Sequence, residues 1–362
     1  MPKTYSQLYE RITSFENLYL AYCEARRGRR YRGDVLRFHQ KHEETLLNLR
    51  QELKTKTWQP GPYWEFLCTT EVKRRVIHAP AFIDRVVHHA LANVTRPLFE
   101  KKYIFDSYAT INGKGTHKAV CRVQEFLRRA GASWGTVYVL QCDISKYYPS
   151  MDHDVLMEQI QRTIRDKDVL WLWRQIIAGF NDDTGKGLPI GALTSQIAAN
   201  IYLNALDHFI KECMQVKYYV RYMDDFVLLG PSKEYLWNAL ADIKWMLECH
   251  LKLKLNPKTK IYPASRGVDF AGYRTFTTHK LPRKRNIKAA KKRFQHLSKL
   301  YSKGMASLDR VKASVMSFLG YVKHCQARRT TISTLSRLTL KKKGGPFNGK
   351  DSPGTYDEYQ PD

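Results

Sequence analysis

Two adjacent aspartates, Asp224 and Asp225, interrupt the run Tyr219-Val220-Arg221-Tyr222-Met223-Asp224-Asp225-Phe226-Val227-Leu228-Leu229, whose other members are mostly β-branched, aromatic or aliphatic. Such a run favours strand, tight turn, strand, with both carboxylates at the tip. Two uncompensated negative charges buried there would be very costly, so cations are expected to meet them. An ordinary polar hairpin turn is the competing reading, and a third acid weighs against it. The segment Val137-Tyr138-Val139-Leu140-Gln141-Cys142 leads straight into Asp143, after which the chain turns through Tyr147 and Tyr148 to Pro149. That is a strand-end position from which a carboxylate can reach the tip of a neighbouring strand. Three such carboxylates can hold two magnesium ions about 4 Å apart, which activates an attacking hydroxyl and stabilises a leaving phosphate. The chemistry implied is nucleotidyl transfer.

The stretches Asp143-Ile144-Ser145-Lys146-Tyr147-Tyr148, Gly187-Leu188-Pro189-Ile190-Gly191-Ala192-Leu193-Thr194-Ser195-Gln196 and Tyr222-Met223-Asp224-Asp225 follow the motif order of reverse transcriptases, and the chain resembles that family from about residue 3 to about residue 340. Most of the family carries Gln-Gly followed by Ser-Pro in the second stretch. Ile190-Gly191 followed by Ser195-Gln196 is similar instead to the variant in reverse transcriptases of diversity-generating retroelements. The resemblance implies an α+β right-hand polymerase fold with fingers, a palm whose antiparallel sheet packs on helices, and a helical thumb. The corresponding division is an N-terminal helical extension over 1–60, fingers over 61–135 with the helices of 150–190 inserted, a catalytic palm over 136–149 and 191–282, a basic thumb over 283–343 and a disordered tail over 344–362.

Composition agrees with a polyanionic partner. Lys and Arg number 61 against 34 Asp and Glu, a formal net charge of +27, and such a surplus binds phosphates with release of counterions. A basic membrane-binding protein is the alternative, but no apolar run reaches the roughly 18 to 20 residues of a spanning helix. The start, Met1-Pro2-Lys3-Thr4-Tyr5-Ser6, does not lead into a signal-peptide core. The cytoplasm of a bacterium, with the gene on a bacterial or phage genome, is the expected location. The seven cysteines are scattered and form no Cys-x-x-Cys pair, which fits reduced, small hydrophobic residues. His88 and His89 point to different sides of a helix and read as structural or as facing nucleic acid.

Along the chain, 3–22 and 34–55 read as amphipathic helices, joined by a basic loop in which Arg26, Arg27, Arg29 and Arg30 either grip RNA or are solvated, with the overall charge favouring RNA. Two short strands, 63–70 and 74–78, carry Lys73 and Arg75; a guanidinium fork suits phosphate oxygens, so Arg75 is the first candidate for the triphosphate and Lys73 the second. A helix continues from 82 to about 99, and Gly113-Lys114-Gly115 leads into another over 117–130, with Lys114 expected near the template. Helices are expected over 152–164, 167–178, 194–214 and 232–250, and strands over 258–262 and 268–276. Phe270-Ala271-Gly272-Tyr273 resembles a primer-grip hairpin, with Phe270, Gly272 and Tyr273 as its working residues; a strand with a glycine bulge is the alternative. From 280 to 343 there are nineteen Lys and Arg against the single acid Asp309. Helices over 286–302 and 307–327 would make this a thumb gripping duplex backbone through Lys284, Arg285, Lys288, Lys291 and Lys292.

The reaction so implied is attack of a primer 3′-hydroxyl on the α-phosphate of a deoxynucleoside triphosphate, directed by an RNA template. Asp143, Asp224 and Asp225 are the catalytic acids and metal ligands, helped by the Ile144 carbonyl, with magnesium the expected ion and manganese able to substitute. Tyr148 stands where the family places an aromatic against the sugar, and Ile190, Gly191 and Gln196 line the nucleotide. Ile190 replaces a glutamine that hydrogen-bonds, so geometric checking of the new base pair should weaken. The resemblance further implies adenine-directed errors in cDNA that diversifies a target gene, a structured RNA as template and primer, and a small, basic, oligomeric accessory variability protein as partner. A group II intron-type or retron-type enzyme of ordinary fidelity is the alternative, and a non-catalytic RNA-binding protein is a third that leaves the acids unexplained.

Overall fold

Ser14 divides the helix expected over 3–22. Its backbone is extended and its hydroxyl accepts from the Asn17 N–H at 3.2 Å, capping a fresh helix, so the chain forms α1 (Tyr9–Ile12) and α2 (Phe15–Ala25). Before α1 the chain is extended, with Tyr5 bridged to Ile164. The helix expected over 34–55 likewise breaks at Lys41 into α3 (Gly33–Gln40) and α4 (His42–Thr55). The computed structural model describes residues 4–68, 75–180 and 184–341, within two compact units that meet in sequence at His279 and Lys280.

In the first unit, β1 (Trp64–Cys68) and β2 (Arg75–Ala79) pair antiparallel with Trp64 opposite Ala79. Lys73, in the link between them, lies outside the described residues. There follow α5 (Phe82–Glu100), α6 (Thr116–Trp134), β3 (Tyr138–Asp143), α7 (Tyr147–Ser150), α8 (His153–Gln161), α9 (Lys167–Ala178) and α10 (Leu193–His208). After α10 the last turn widens over Phe209–Cys213. Next come β4 (Tyr219–Tyr222), β5 (Asp225–Gly230), α11 (Lys233–Trp245), β6 (Lys260–Pro263) and the hairpin β7 (Val268–Phe270) and β8 (Tyr273–Thr275). A four-stranded antiparallel sheet in the order β4-β5-β3-β6 lies at the centre.

Why its strands read as nearly unbroken apolar runs is clear from the two cores. Successive strand residues point to opposite faces, and here both faces are covered. Leu140, Cys142, Tyr219, Phe226 and Leu228 join Leu203, Leu206, Leu236 and Leu240 of α10 and α11 on one side. Val139, Val220, Val227 and Leu229 join Val123, Phe126 and Leu127 of α6 on the other. Each such side chain contributes roughly 1.5–3 kcal/mol when fully buried, so the sheet is the stable platform on which the strand ends are held.

The second unit holds β9 (Lys280–Pro282), α12 (Lys284–Ser302), α13 (Leu308–Val322) and α14 (Arg328–Leu335). Ile287, Phe294, Leu297, Phe318 and Val322 form its core, with the Phe294 and Phe318 rings edge to face at 5.4 Å. The single helix expected over 307–327 stops at Val322, where its apolar stripe ends, and a third helix not anticipated from sequence follows. Residues 344–362, expected to be a disordered tail, lie outside the described residues.

Candidate active site

The sheet register sets the acids. Asp143 ends β3 directly opposite Asp225, which begins β5, while Tyr222 is opposite Asp225 across β4 and β5. Met223 and Asp224 are therefore the two-residue turn between β4 and β5. Met223 has φ +56°, a conformation that costs a non-glycine residue roughly 1–2 kcal/mol and persists where surroundings enforce it. Two contacts enforce it: the buried Arg221 guanidinium donates to the Met223 carbonyl at 3.1 Å, and the Ile144 N–H donates to the Asp224 carbonyl at 3.3 Å. All three acids thus gather at one end of the sheet.

Arg221 was not singled out as a functional residue from sequence. Fully buried, it donates to both carboxylate oxygens of Asp207 on α10, at 2.8 and 2.6 Å, and to Asn200 Oδ1 at 3.1 Å, while the Tyr219 hydroxyl donates to Asp207 at 2.7 Å. A lone arginine in an apolar strand and a lone acid on the apolar face of a helix were the available signals. Asn256 was missed as well: its Nδ2 donates to Asp143 Oδ2 at 2.9 Å and its N–H to the Asp143 carbonyl at 2.7 Å. No local pattern marks it, because its role comes from the chain passing beside β3 at Leu255, which bridges to Ile144.

Like charges facing each other across a strand pair are destabilising without a cation, so this oxygen donor set suits a hard divalent ion. Among the described residues no three His, Cys, Asp or Glu side chains are already gathered on one point; the backbone register supplies the proximity. The thiol of Cys142, one residue from Asp143, is pushed far up by burial and by the charges of Asp225 and Asp143.

The hairpin read as a primer grip is docked beside these acids. Gln141, two residues before Asp143, donates from Nε2 to the Asp269 carbonyl at 2.6 Å and accepts from the Tyr262 hydroxyl at 3.0 Å. Phe270 and Tyr273 are buried and paired across β7 and β8, and the turn between them takes positive φ at Ala271 and Gly272. Tyr148 is half-buried with its ring 5.7 Å from that of Tyr147, and its carbonyl accepts from the Leu188 N–H at 3.0 Å. Tyr147 is buried and donates to the Ala199 carbonyl.

The 190–191 segment is fastened to β2: the Ile190 carbonyl accepts from the His78 N–H at 3.1 Å. Gly191, at φ +118°, comes close to β2: a Cβ there would be crowded, 3.0 Å from Ile77 Cγ2. Arg75 opens β2 opposite Cys68. Gly191 and Gln196 share a cleft with Arg27 and Arg29 of the basic loop, so two groups of residues read separately from sequence are brought together. Arg26 is committed to Tyr22, donating to its hydroxyl at 2.8 Å and lying 5.0 Å over its ring, and Arg30 is exposed.

Lys114 has structural partners. Expected near the template, it donates to the carbonyls of Phe105 and Ser107 and sits over the Phe105 ring, and partial burial eases its pKa down. In the second unit Lys284, Arg285, Lys288 and Lys292 are exposed along α12, whereas Lys291 donates to Ser333 Oγ at 3.0 Å.

A family model described as reverse transcriptase (RNA-dependent DNA polymerase) matches residues 69–275, which include all three acids and the hairpin. The chain belongs to the reverse transcriptase family. Its sheet, helices and hairpin are accordingly those of a right-hand polymerase, and domains of this family work with divalent metal ions. This reverse transcriptase is similar to protein YkfC of Escherichia coli (strain K12), 29% identical over 266 residues that cover 62% of the chain and 70% of YkfC. It is also similar to the group II intron-encoded protein LtrA of Lactococcus lactis subsp. cremoris, 27% identical over 177 residues that cover 46% of the chain and 28% of LtrA. Among solved structures, apo telomerase from Candida tropicalis matches with a TM-score of 0.48 at 14% identity, covering 79% of this chain and 64% of that one.

Proposed function

We propose that this reverse transcriptase copies a retroelement RNA into cDNA with reduced fidelity at template adenines, as the enzyme of a diversity-generating retroelement. The observation that carries the reading is Ile190, whose side chain offers no hydrogen bond and whose segment is pinned to β2 through its carbonyl and the close approach of Gly191. At this position a nascent pair is then checked by packing alone, which discriminates less than a site with hydrogen bonds to satisfy. Asp143, Asp224 and Asp225 would hold two magnesium ions, which supply activation of the primer hydroxyl and neutralisation of the leaving pyrophosphate. Asn256 orients the Asp143 carboxylate, Tyr148 packs against the sugar, where a ring excludes a 2′-hydroxyl, and the β7–β8 hairpin steadies the primer end. Arg75 and Lys73 take the triphosphate. A small, basic, oligomeric accessory protein and a structured template RNA complete the system.

The test is sequencing of cDNA made by the wild type and by Ile190→Gln. Errors at template adenines should drop about tenfold in the variant, the scale of one hydrogen bond. An unchanged error spectrum would remove the pocket explanation. The similarity to intron-encoded proteins favours a second reading, an intron-type enzyme of ordinary fidelity, for which wild-type cDNA would be faithful at adenines.

A further inference from the structure

Gln141 is a polar residue at an apolar position of the sheet. Successive strand residues alternate between faces, so on β3 it shares a face with Val139 and Asp143, and it lies opposite Val227 of β5. Val139, Val227 and Leu229 belong to the core on that side, which a valine or leucine in place of Gln141 would simply continue. Instead the half-buried amide uses both of its ends. Its Nε2 donates to the Asp269 carbonyl at 2.6 Å, and its Oε1 accepts from the Tyr262 hydroxyl at 3.0 Å. A carbonyl can only accept, so the amide nitrogen must face Asp269 and the amide oxygen Tyr262. Burial pushes the Tyr262 hydroxyl up to about 12, so it stays protonated and donates. Tyr262 lies on β6, opposite Val139 of β3. The hydrogen bonds therefore run in one direction, from β6 through β3 to β7, and end on the residue before Phe270.

We propose that Gln141 is a positioning residue: through the Asp269 carbonyl it holds the β7–β8 turn in register with Asp143 and Asp225, and so aligns the primer 3′-hydroxyl with the α-phosphate that it attacks. The inference rests on the proposed reaction and on the proposed hold of this hairpin on the primer end. Alignment acts steeply on rate, since a misplacement of about 1 Å can cost on the order of a hundredfold. Affinity for a primer–template duplex comes mainly from many phosphate contacts, and one amide contributes little to it. A side chain that merely pinned a loop would act on stability; Gln141 acts on the rate of a complex already bound.

The experiment is single-turnover extension of a primer annealed to an RNA template, at saturating enzyme with magnesium and dNTPs. The dissociation constant of the same duplex, by fluorescence anisotropy, and the unfolding temperature are measured beside it. Gln141→Leu, which matches its apolar neighbours, should slow extension about tenfold or more while the dissociation constant stays within about twofold. Tyr262→Phe removes the hydroxyl that aims the amide and keeps the ring. It should slow extension about threefold, at the low end of what one hydrogen bond is worth, and should add nothing to the loss in Gln141→Leu. Tyr262→Phe on its own reads the same separation of rate from affinity, so it decides the matter where Gln141→Leu does not fold. A lower unfolding temperature with an unchanged rate would make Gln141 a structural pin and overturn the proposal. So would a full rate at saturation with weakened duplex binding, or losses that simply multiply in the double variant. Each of those outcomes leaves the polymerase reading standing, whereas a wild type that extends no primer would overturn both.

Discussion

Asn256 shows how a residue with no catalytic chemistry of its own can act on a proposed metal ligand. By donating to both the carboxylate and the carbonyl of Asp143, it helps to fix the direction of that carboxylate. Outer partners of metal ligands typically matter by 10–100-fold, so Asn256→Ala is expected to lower extension about tenfold and to raise the magnesium concentration for half-maximal rate; a magnesium titration reads both. An unchanged magnesium requirement would mean that Asn256 only closes a loop. Asp84 carries a different expectation. Burial raises its carboxyl to about 6 against a single opposing hydrogen bond from the Gly61 N–H at 3.0 Å. The folded protein then binds a proton that the unfolded chain releases near 3.8, so the stability this group contributes is full below that value and is lost as pH rises through about 6. Asp84→Asn keeps an acceptor for Gly61 and should flatten this part of the profile of unfolding temperature against pH. The three aspartates were legible in sequence because acids are rare amid apolar strand residues; Asn256 was not, because a polar residue near a turn has many ordinary uses and only long-range contacts give it its role.

The β4–β5 hairpin depends on an ion pair that nothing in its local sequence explains. Removing one partner of a buried pair leaves the other charge uncompensated and typically costs about 3–5 kcal/mol, so Arg221→Met should lower the unfolding midpoint sharply. A shift no larger than that of a surface substitution would show that the pair does not brace the turn. Replacing Gly191 by alanine tests a second joint: the new Cβ meets Ile77 at 3.0 Å in a backbone conformation that favours glycine, so extension should weaken while the palm keeps its stability. Strand positions were readable from the apolar runs, since both sheet faces are covered. Helix ends were less so: the breaks at Ser14 and Lys41 fall within continuous amphipathic patterns, where a cap or a single residue off the helical conformation overrides periodicity. The helix Arg328–Leu335 escaped notice because it buries little, leaving two arginines and a run of mostly hydroxyl residues with no apolar stripe.

For the whole chain, the charge of +27 makes RNA binding a salt-dependent quantity. The logarithm of affinity should fall linearly with the logarithm of salt concentration, and replacing Lys284, Arg285, Lys288 and Lys292 by glutamine should flatten the slope by about one for each residue that meets a phosphate. Among the described residues no helix is long and apolar enough to cross a membrane. Three aspartates are proposed to act together on an RNA-templated primer, and primer extension with RNA template, magnesium and dNTPs, comparing wild type with Asp224→Asn, tests this most directly. Metal-dependent cDNA synthesis that falls on the order of a hundredfold or more in the variant is the result expected. Synthesis at the same rate in Asp224→Asn, or without any divalent metal, would contradict it.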